Sequence, residues 1–344
     1  MKMFSAGLFS TLAALCFVVP AAAEPLATPS DDRSNWPEGT PRSDAAVELG
    51  RHLFFDPRLV LSEDQSCASC HSPHMGYADG VALDLAAHKG GKQATRNSPT
   101  VYNLSEAPVL HWDGRTPNGQ CFTAEDTGED VCLAPLESQA FKSMRSRKIY
   151  RGFLPKVQQD EHYREMFRVV FPPDGAITHV NMARAIAAFE RSLVSYDSAF
   201  DRYLAGDQSA LSPEAVRGLA LFEGKAQCIA CHNGAHVTDW QFHNIGVDSD
   251  DPGRGAKVNT DAERVEFQGA FKTPGLRNVA LTAPYMHDGS IGTLQEVVAF
   301  YDRGGDLSAN LSPLITPLGL SAQDRWDLVA FLHAFTHTPD IQRP

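Results

Sequence analysis

The sequence predicts a mostly α-helical protein built from two related halves in tandem, with long loops. Apolar residues recur at helical spacing in several segments, whereas the strict alternation that marks β-strands is nearly absent. A five-residue motif also occurs twice, as Cys67-Ala68-Ser69-Cys70-His71 and Cys228-Ile229-Ala230-Cys231-His232. In each half a predicted helix precedes the motif, a loop follows it and a further helix closes the half, which indicates duplication of one unit.

The repeated motif, C-x-x-C-H, is typical of covalent haem attachment. Two thiols three positions apart can each add to a vinyl group of one porphyrin, and the adjoining histidine can ligate the iron. Two structural metal clips or disulfides are the alternative, but neither needs a histidine directly after the second cysteine. The sequence therefore predicts two c-type haems in two cytochrome c-like domains, with His71 and His232 as iron ligands.

The first 23 residues have the pattern of a secretion signal. Lys2 precedes an apolar segment, and Ala21 to Ala23 fit a small-residue cleavage site. The apolar segment is too short to span a bilayer, and no later segment has the length of a membrane span. We therefore expect an exported protein of the bacterial periplasm. The formal net charge of −12 argues against nucleic acid as a partner.

Two cysteines, Cys121 and Cys132, remain after the haem motifs and Cys16 of the signal are set aside. In an oxidising compartment we expect them to form a disulfide. Free thiols are the alternative.

Capping residues and apolar stripes define the helices of the first half. The first helix runs from Ser43 to Phe55 and has Ser43 as its cap. Asn181 to Tyr196 is a strongly amphipathic helix, and Asp201 to Leu211 is predicted to be a linker. The domains accordingly divide into 24–205 and 206–344.

Capping residues also define the helices of the second half. Ser212 begins the helix that leads to the second haem motif. Thr293 and Glu296 form a capping box at the start of the next helix. The last helix, Ser321 to Phe335, is predicted to place Trp326 on its inward face.

Two irregular regions of the first half are candidates for function. The chain from His74 to Thr100 is predicted to be a loop, which suits a pocket built over a haem face. The segment from Leu136 to Lys156 carries a run of basic residues in an acidic protein. This run is either a solvated helix face or a docking patch for an anionic partner.

Several further segments accompany the haem motifs in order along the chain: Arg96-Asn97-Ser98-Pro99-Thr100, Trp112-Asp113-Gly114-Arg115, Leu276-Arg277-Asn278 and Leu281 to Gly289. Together they resemble the bacterial di-haem cytochrome c peroxidase family, which includes MauG-like enzymes. The resemblance implies a periplasmic enzyme in which hydrogen peroxide reacts at the N-terminal haem and the C-terminal haem relays electrons.

The resemblance also implies ligands in the second half. Tyr301 stands where the usual peroxidases have a methionine as sixth ligand of the second haem, and MauG-like enzymes have tyrosine there. A phenolate is a hard donor that lowers a haem potential. Tyr301 as a core residue is the alternative. The Asn97 side chain with the carbonyls of Thr282 and Pro284 resembles the family's calcium site between the haems.

For the first haem, the resemblance implies Trp112 between the two haems and Gln139 in the pocket where peroxide reacts. His88 is either a removable cap on the first iron or a loop histidine. The glutamate that the family pattern places near Ile149 is missing. Glu137, or another displaced acid, is its candidate substitute.

Three functions are compatible with these features. The first, which we favour, is a peroxidase that reduces hydrogen peroxide with electrons from a small cytochrome c or a cupredoxin. The second is a MauG-like oxidase that uses peroxide to oxidise tyrosine or tryptophan in a partner protein. The third is a plain di-haem electron carrier.

Overall fold

A computed structural model describes residues 23–59, 65–81, 96–145, 152–306 and 308–337. These ranges contain ten α-helices and three two-stranded antiparallel sheets, so the predicted helix-rich fold is confirmed. None of the helices in these ranges is long and apolar enough to cross a membrane. His88, Ile149 and nearly all of the predicted signal peptide lie outside the described residues.

Five helices belong to the first half: α1 (Asp44–Phe55), α2 (Pro135–Met144), α3 (Phe153–Gln159), α4 (Glu161–Val170) and α5 (His179–Ser192). Ser43 caps α1 as predicted, because its side chain accepts a hydrogen bond from the Ala46 N–H. The α5 helix ends four residues before the predicted Tyr196. There the Asn103 side chain accepts a hydrogen bond of 2.6 Å from the Ser195 N–H, which stabilises a non-helical path.

Five further helices belong to the second half: α6 (Ala199–Leu204), α7 (Pro213–Glu223), α8 (Asp261–Glu266), α9 (Leu294–Asp302) and α10 (Ala322–His333). The predicted caps of α7 at Ser212 and of α9 at Thr293 are confirmed. The predicted linker is wrong in its first part, because a capping box of Ser198 and Asp201 starts α6.

The short strands form hairpins that lie beside the helices: β1 (Val109–Leu110) with β2 (Thr116–Pro117), β3 (Gln120–Thr123) with β4 (Asp130–Leu133), and β5 (Phe242–His243) with β6 (Phe271–Lys272). Cys121 lies opposite Cys132 in the second hairpin. The two are joined by the predicted disulfide.

Each half has its own large cluster of buried apolar side chains, and in each a pair of helices crosses at a glycine. The first-half cluster lies between Leu49 and Leu193, and the second-half cluster lies mostly between Phe200 and Phe335. A Cβ on Gly50 of α1 would lie 1.9 Å from the Ala185 carbonyl oxygen of α5. A Cβ on Gly218 of α7 would lie 2.0 Å from the Asp327 carbonyl oxygen of α10. Each half therefore contains the same kind of close helix crossing at a glycine.

The prediction for Trp326 is wrong, because 61% of its surface is exposed. The inward position of α10 belongs instead to the next residue, Asp327, which is 2% exposed. Asp327 Oδ2 lies 2.7 Å from Nε of Arg217, and the Asp327 backbone contacts Gly218. Because neighbouring helical residues point about 100° apart, fixing Asp327 at the crossing turns the Trp326 indole toward solvent.

Candidate haem sites

The first haem motif forms a single 3₁₀ turn over Cys67–Ser69. The His71 N–H donates to the Cys67 carbonyl over 3.0 Å, and this hydrogen bond places the histidine beside the cysteines. Nδ1 of the His71 ring lies 3.1 Å from the Tyr77 carbonyl oxygen. Burial lowers the pKa of His71, so the ring is neutral. With Nδ1 as donor, Nε2 carries the lone pair that a metal needs.

The second motif repeats this geometry with a 3₁₀ turn over Cys228–Ala230. The His232 N–H donates to the Cys228 carbonyl over 2.9 Å. Its ring Nδ1 lies 3.2 Å from the Val237 carbonyl oxygen, and burial lowers its pKa to about 4. The cysteines of both motifs are not disulfide-bonded, so both pairs are available for thioether bonds.

The two carbonyl partners share an unusual backbone conformation. Tyr77 has φ = 57° and Val237 has φ = 55°, and both residues are fully buried. A bulky or β-branched residue rarely adopts positive φ, because its Cβ crowds the backbone. The same strain in both halves aims one carbonyl at each histidine, so the orientation of these rings is built into the repeated unit.

A mostly apolar cavity adjoins the second motif. Its walls include Cys228, Cys231 and His232, with leucine and valine side chains from α9 and α10, namely Leu294, Val297, Val298, Leu328 and Leu332. Tyr301 on α9 also faces this cavity. Its phenol has no hydrogen-bond partner among the described residues, and burial raises its pKa above the usual range. An unpaired phenol near a ligand-ready imidazole suits a second metal ligand.

A buried amine completes the lining of this cavity. Lys272 is 9% exposed, and its Nζ lies 4.9 Å from the centre of the Trp240 ring. Burial lowers its pKa to about 8. Its Nζ lies 3.4 Å from the Thr273 carbonyl oxygen, and the charge of Asp239 favours its protonated form. A carboxylate side chain of a porphyrin would be a further anionic partner. Two thiols, an imidazole, a phenol and this amine around one apolar cavity therefore fit a c-type haem.

Trp112 connects the two halves. Its indole Nε1 donates to the Asn97 carbonyl over 2.9 Å, and its own carbonyl accepts a 2.8 Å hydrogen bond from the Lys272 N–H. The Trp112 side chain lies on the wall of the second cavity. The preceding residue, His111, lies within electrostatic range of His71 in the first site. The Trp112 segment thus leads from the first half to the wall of the second cavity.

Two of the three expected calcium ligands, Asn97 and Pro284, are in contact, and the third, Thr282, lines the same cavity. Asn97, Thr282 and Pro284 all line the second cavity, and the Asn97 side-chain amide hydrogen bonds to the Pro284 carbonyl. The nitrogen and oxygen of an amide are assigned from such contacts, so rotating this group would place two oxygens side by side. The described geometry is thus compatible with a hard cation.

Ion pairs reinforce the connection at Trp112. Arg96 makes two hydrogen bonds of 2.6 and 2.7 Å to Asp251 of the second half. Its other nitrogen lies 2.7 Å from a carboxylate oxygen of Asp113. Because Asp113 follows Trp112 directly, Arg96 joins the tryptophan segment to the second half.

The residues predicted for peroxide chemistry at the first haem are only partly brought together. Gln139 lies on α2, where its Nε2 donates to the Ser143 hydroxyl over 3.0 Å. Glu137 is not available as a substitute acid, because it is 2% exposed and paired with Arg191 at 3.0 Å. The Thr40 hydroxyl also donates to Glu137. The glutamate therefore holds α2 against α5.

Sequence reasoning missed two residues near the first site. The first is His111, which immediately precedes Trp112. Its position directly before the tryptophan segment of the family is the sequence signal that indicates it. Glu190 on α5 is 4% exposed, and one of its oxygens has no partner among the described residues. Burial raises its pKa to about 8. Its charge also acts on Cys67, so Glu190 lies close to the first haem motif.

Known proteins match this chain over most of its length. Residues 44–209 match the family model described as di-haem cytochrome c peroxidase. The methylamine utilization protein MauG of Methylorubrum extorquens is 36% identical over 88% of this chain and 81% of the relative. The cytochrome c551 peroxidase of Pseudomonas aeruginosa is 34% identical over 89% of this chain and 83% of the relative.

A solved structure agrees with these sequence matches. A MauG-like protein associated with microbial copper homeostasis superimposes with a TM-score of 0.73 and 29% identity. The match covers 93% of this chain and 95% of that one. With the two haem motifs, the repeated histidine geometry and these relatives in agreement, this chain belongs to the di-haem cytochrome c peroxidase family.

Proposed function

We propose that this chain reduces hydrogen peroxide to water in the periplasm, with electrons from a small cytochrome c or a cupredoxin. It is a peroxide-dependent oxidoreductase with two c-type haems. The observation that carries the proposal is the pair of ligand-ready histidines, His71 and His232, in two halves that the Trp112 segment joins. The domains are 24–205 and 206–344.

The two sites take different roles. Cys67, Cys70 and His71 would hold the first haem, which would supply the site of peroxide reduction. Cys228, Cys231, His232 and Tyr301 would hold the second haem, which would supply the entry point for electrons. The bound irons supply peroxide binding and one-electron transfer.

The chain's own groups prepare these roles. The Tyr77 and Val237 carbonyls orient the two imidazoles. The apolar wall of the second cavity excludes water. The raised pKa of Tyr301 means that its phenol ionises only when a nearby cation compensates the charge. Trp112, fixed at its ring and its backbone, is the aromatic group between the two sites. Gln139 would contribute to the peroxide pocket, and His88 is either a removable cap on the first iron or a loop histidine.

A calcium ion at Asn97, Thr282 and Pro284 would add a hard cation beside Trp112, since Ca²⁺ prefers carbonyl and amide oxygens. Because the Asn97 carbonyl also accepts from the Trp112 indole, calcium would stabilise the tryptophan position. Removal of calcium with a chelator should then alter the near-ultraviolet circular dichroism of Trp112. The same treatment of Trp112→Phe is the control.

The main test measures electron consumption. With a reduced small cytochrome c as donor, two donor molecules should be oxidised for each peroxide consumed, and His71→Ala should abolish this turnover. Peroxide consumption without donor oxidation would contradict the peroxidase assignment.

A MauG-like oxidase is the second candidate, favoured by Tyr301 on the cavity wall. Such an enzyme would use peroxide to oxidise tyrosine or tryptophan in a partner protein. One similar structure is associated with microbial copper homeostasis, so a copper-handling protein is one substrate class to test. Mass spectrometry of the partner after peroxide treatment would show added oxygen or lost hydrogen at a tyrosine or tryptophan.

The role of Tyr301 has a matched control in Tyr285, a second tyrosine on the same cavity wall. Tyr301→Phe should keep both haems attached but change the spectrum and raise the potential of the second haem, because an anionic ligand is lost. Tyr285→Phe should leave both unchanged. Identical spectra and potentials for Tyr301→Phe and the parent would exclude the ligand role.

A further inference from the structure

His243 lies at the end of β5, on the wall of the second cavity and beside the second haem motif. A nitrogen of its partly buried ring lies within 4.8 Å of the Cys231 sulfur. That sulfur is one of the two points at which the C-x-x-C-H motif attaches a porphyrin. The imidazole therefore lies next to an edge of the haem that this cavity fits.

The Asp239 carboxylate fixes the orientation of the His243 ring. Its Oδ2 lies 2.9 Å from Nε2 of His243, and its Oδ1 accepts from the Gln241 N–H over 2.9 Å. The Asp239 N–H donates to the Cys231 carbonyl over 2.8 Å, which ties this carboxylate to the haem motif. Of the two paired side chains, the histidine is the one that lines the cavity.

This pairing favours a charged imidazole. Burial opposes the charge, but hydrogen bonds to Asp239 and to the Cys231 sulfur raise the pKa of His243 to about 10. A thioether sulfur carries no charge, so in the haem-bearing protein Asp239 is the group that stabilises the imidazolium. The charge of Asp239 also favours the protonated form of Lys272 on β6. The wall of the second cavity thus has a cation beside Cys231.

The first half repeats the carboxylate but gives it different partners. Asp79 and Asp239 each lie two residues after the carbonyl that contacts the haem-site histidine of their half. The Asp79 carboxylate accepts from the Ser98 hydroxyl over 2.8 Å and from the Val81 N–H over 3.2 Å. These partners are neutral, whereas the His243 partner of Asp239 can carry a positive charge. The paired imidazole therefore distinguishes the second site from the first.

A cation at this place has a consequence for electron entry. An anionic phenolate from Tyr301 would lower the potential of the second haem, which disfavours its reduction by a donor protein. Reduction adds one negative charge to the haem. A positive charge near the haem edge attracts that added charge, and the attraction is stronger in an apolar cavity than in water. The two residues therefore act on the potential in opposite directions.

We propose that His243, held as a cation by Asp239, raises the potential of the second haem and so keeps this haem reducible by the donor protein despite an anionic Tyr301 ligand. The proposal deepens the proposed peroxidase function and rests on it. In the step concerned, the donor protein loses one electron and the second haem gains it, with no bond formed or broken.

The test is a redox titration of both haems in the holoprotein at neutral pH. His243→Gln can still donate a hydrogen bond to Asp239 but carries no charge. It should lower the potential of the second haem by at least about 59 mV, which is a tenfold change in the ratio of its reduced to oxidised forms. The first haem should keep its potential. His243→Asn should act in the same direction, and His243→Lys, which restores a cation, should recover most of the loss.

A matched control is His287→Gln on the same cavity wall. Nε2 of His287 lies 3.3 Å from the Ser249 hydroxyl, and burial lowers the pKa of the ring, which is therefore neutral. This variant should keep the parent potential. Parent-like potentials in both neutral variants of His243 would overturn the proposal, as would an equal loss in His287→Gln or no recovery in His243→Lys. A parent protein inert to peroxide would instead contradict the peroxidase function, while the redox titration would still decide the role of His243.

Discussion

The two haem sites share a backbone arrangement but differ in their surroundings. In each, a histidine after a 3₁₀ turn meets the carbonyl of a buried residue with positive φ, Tyr77 or Val237. The second site faces an apolar cavity that contains the Tyr301 phenol. The first has the imidazole of His111 with two cations close by. The repeated unit thus accounts for the shared histidine geometry, whereas the side chains that differ between the sites come from α9 and from the turn between β1 and β2.

Among the described residues, each half also buries an arginine together with a carboxylate. Arg191 and Glu137 are paired in the first half, and Arg277 and Asp201 in the second. Arg277 additionally donates to two backbone carbonyls, and Asp201 also accepts from the Ser198 hydroxyl. The second pair therefore belongs to a larger hydrogen-bond network.

The largest expected effect compares these two pairs. Arg191→Met should lower the free energy of unfolding by about 3–5 kcal/mol, because the buried Glu137 carboxylate would keep the Thr40 hydroxyl as its single partner among the described residues. The loss of stability in Arg277→Met should be at the lower end of this range, because other groups still donate hydrogen bonds to Asp201. Urea unfolding of both variants measures the difference. A loss below about 1 kcal/mol for Arg191→Met would disprove the importance of the first pair.

The disulfide distinguishes the first half from the second. Replacing Cys121 and Cys132 together with serine should cost about 3 kcal/mol, because the open loop gains chain entropy in the unfolded state. The parent protein with the disulfide reduced is the control and should match the double variant. Thermal unfolding measures both, and a melting temperature equal to that of the oxidised parent would contradict the prediction.

The shared helix crossings should respond alike. Gly50→Ala and Gly218→Ala should each cost about 1–3 kcal/mol, because the added methyl would overlap a facing carbonyl oxygen. Gly292→Ala is the control, since its Cβ would meet only a side-chain atom of Glu296 at 3.6 Å. Chemical denaturation measures all three. A large loss in only one half would show that the two crossings are not equivalent.

The smallest effect, per unit of pH, concerns Glu190. Its pKa is raised from 4.5 in the unfolded chain to about 8 in the fold. The folded state therefore holds its proton more tightly, and stability falls as pH rises between these values, by at most about 1.4 kcal/mol per pH unit. Glu190→Gln should flatten this dependence. Unfolding free energies measured at intervals from about pH 5 to about pH 8 test it.

An unchanged slope in Glu190→Gln would assign the pH dependence to other groups. The second half provides an opposite case in Lys272, whose pKa is lowered from 10.5 to about 8. There the unfolded chain binds the proton more tightly, so stability rises with pH across that interval. The buried groups Glu190 and Lys272, one in each half, thus have opposite pH slopes.

Local sequence signals predicted the features that depend on neighbouring residues. The caps at Ser43, Ser212 and Thr293 follow from side chains that bond within one turn. The fold class and the haem motifs were predicted in the same way, because the spacing of residue types along the chain defines them. The Cys121–Cys132 bond followed from counting cysteines in an oxidising compartment.

Features that depend on distant contacts could not be predicted. Trp326 faces solvent because Asp327 is fixed at the crossing with α7. Glu137 matched a candidate acid in sequence, but its arginine partner lies 54 positions away. The environment of His111 depends on a hairpin and on the end of α2. The roles of Tyr301, Gln139 and the calcium ligands stay predictions.

The attachment of Trp112 at ring and backbone has a consequence for the speed of electron exchange. A group that relaxes little when its charge changes has a small reorganisation energy, and electron transfer through it is then limited mainly by distance. Trp112 is bonded to Asn97 through its indole and to Lys272 through its carbonyl, and Arg96 clamps the next residue. These bonds leave the indole little room to relax, so the electron relay proposed for Trp112 would not require the two halves to move relative to each other.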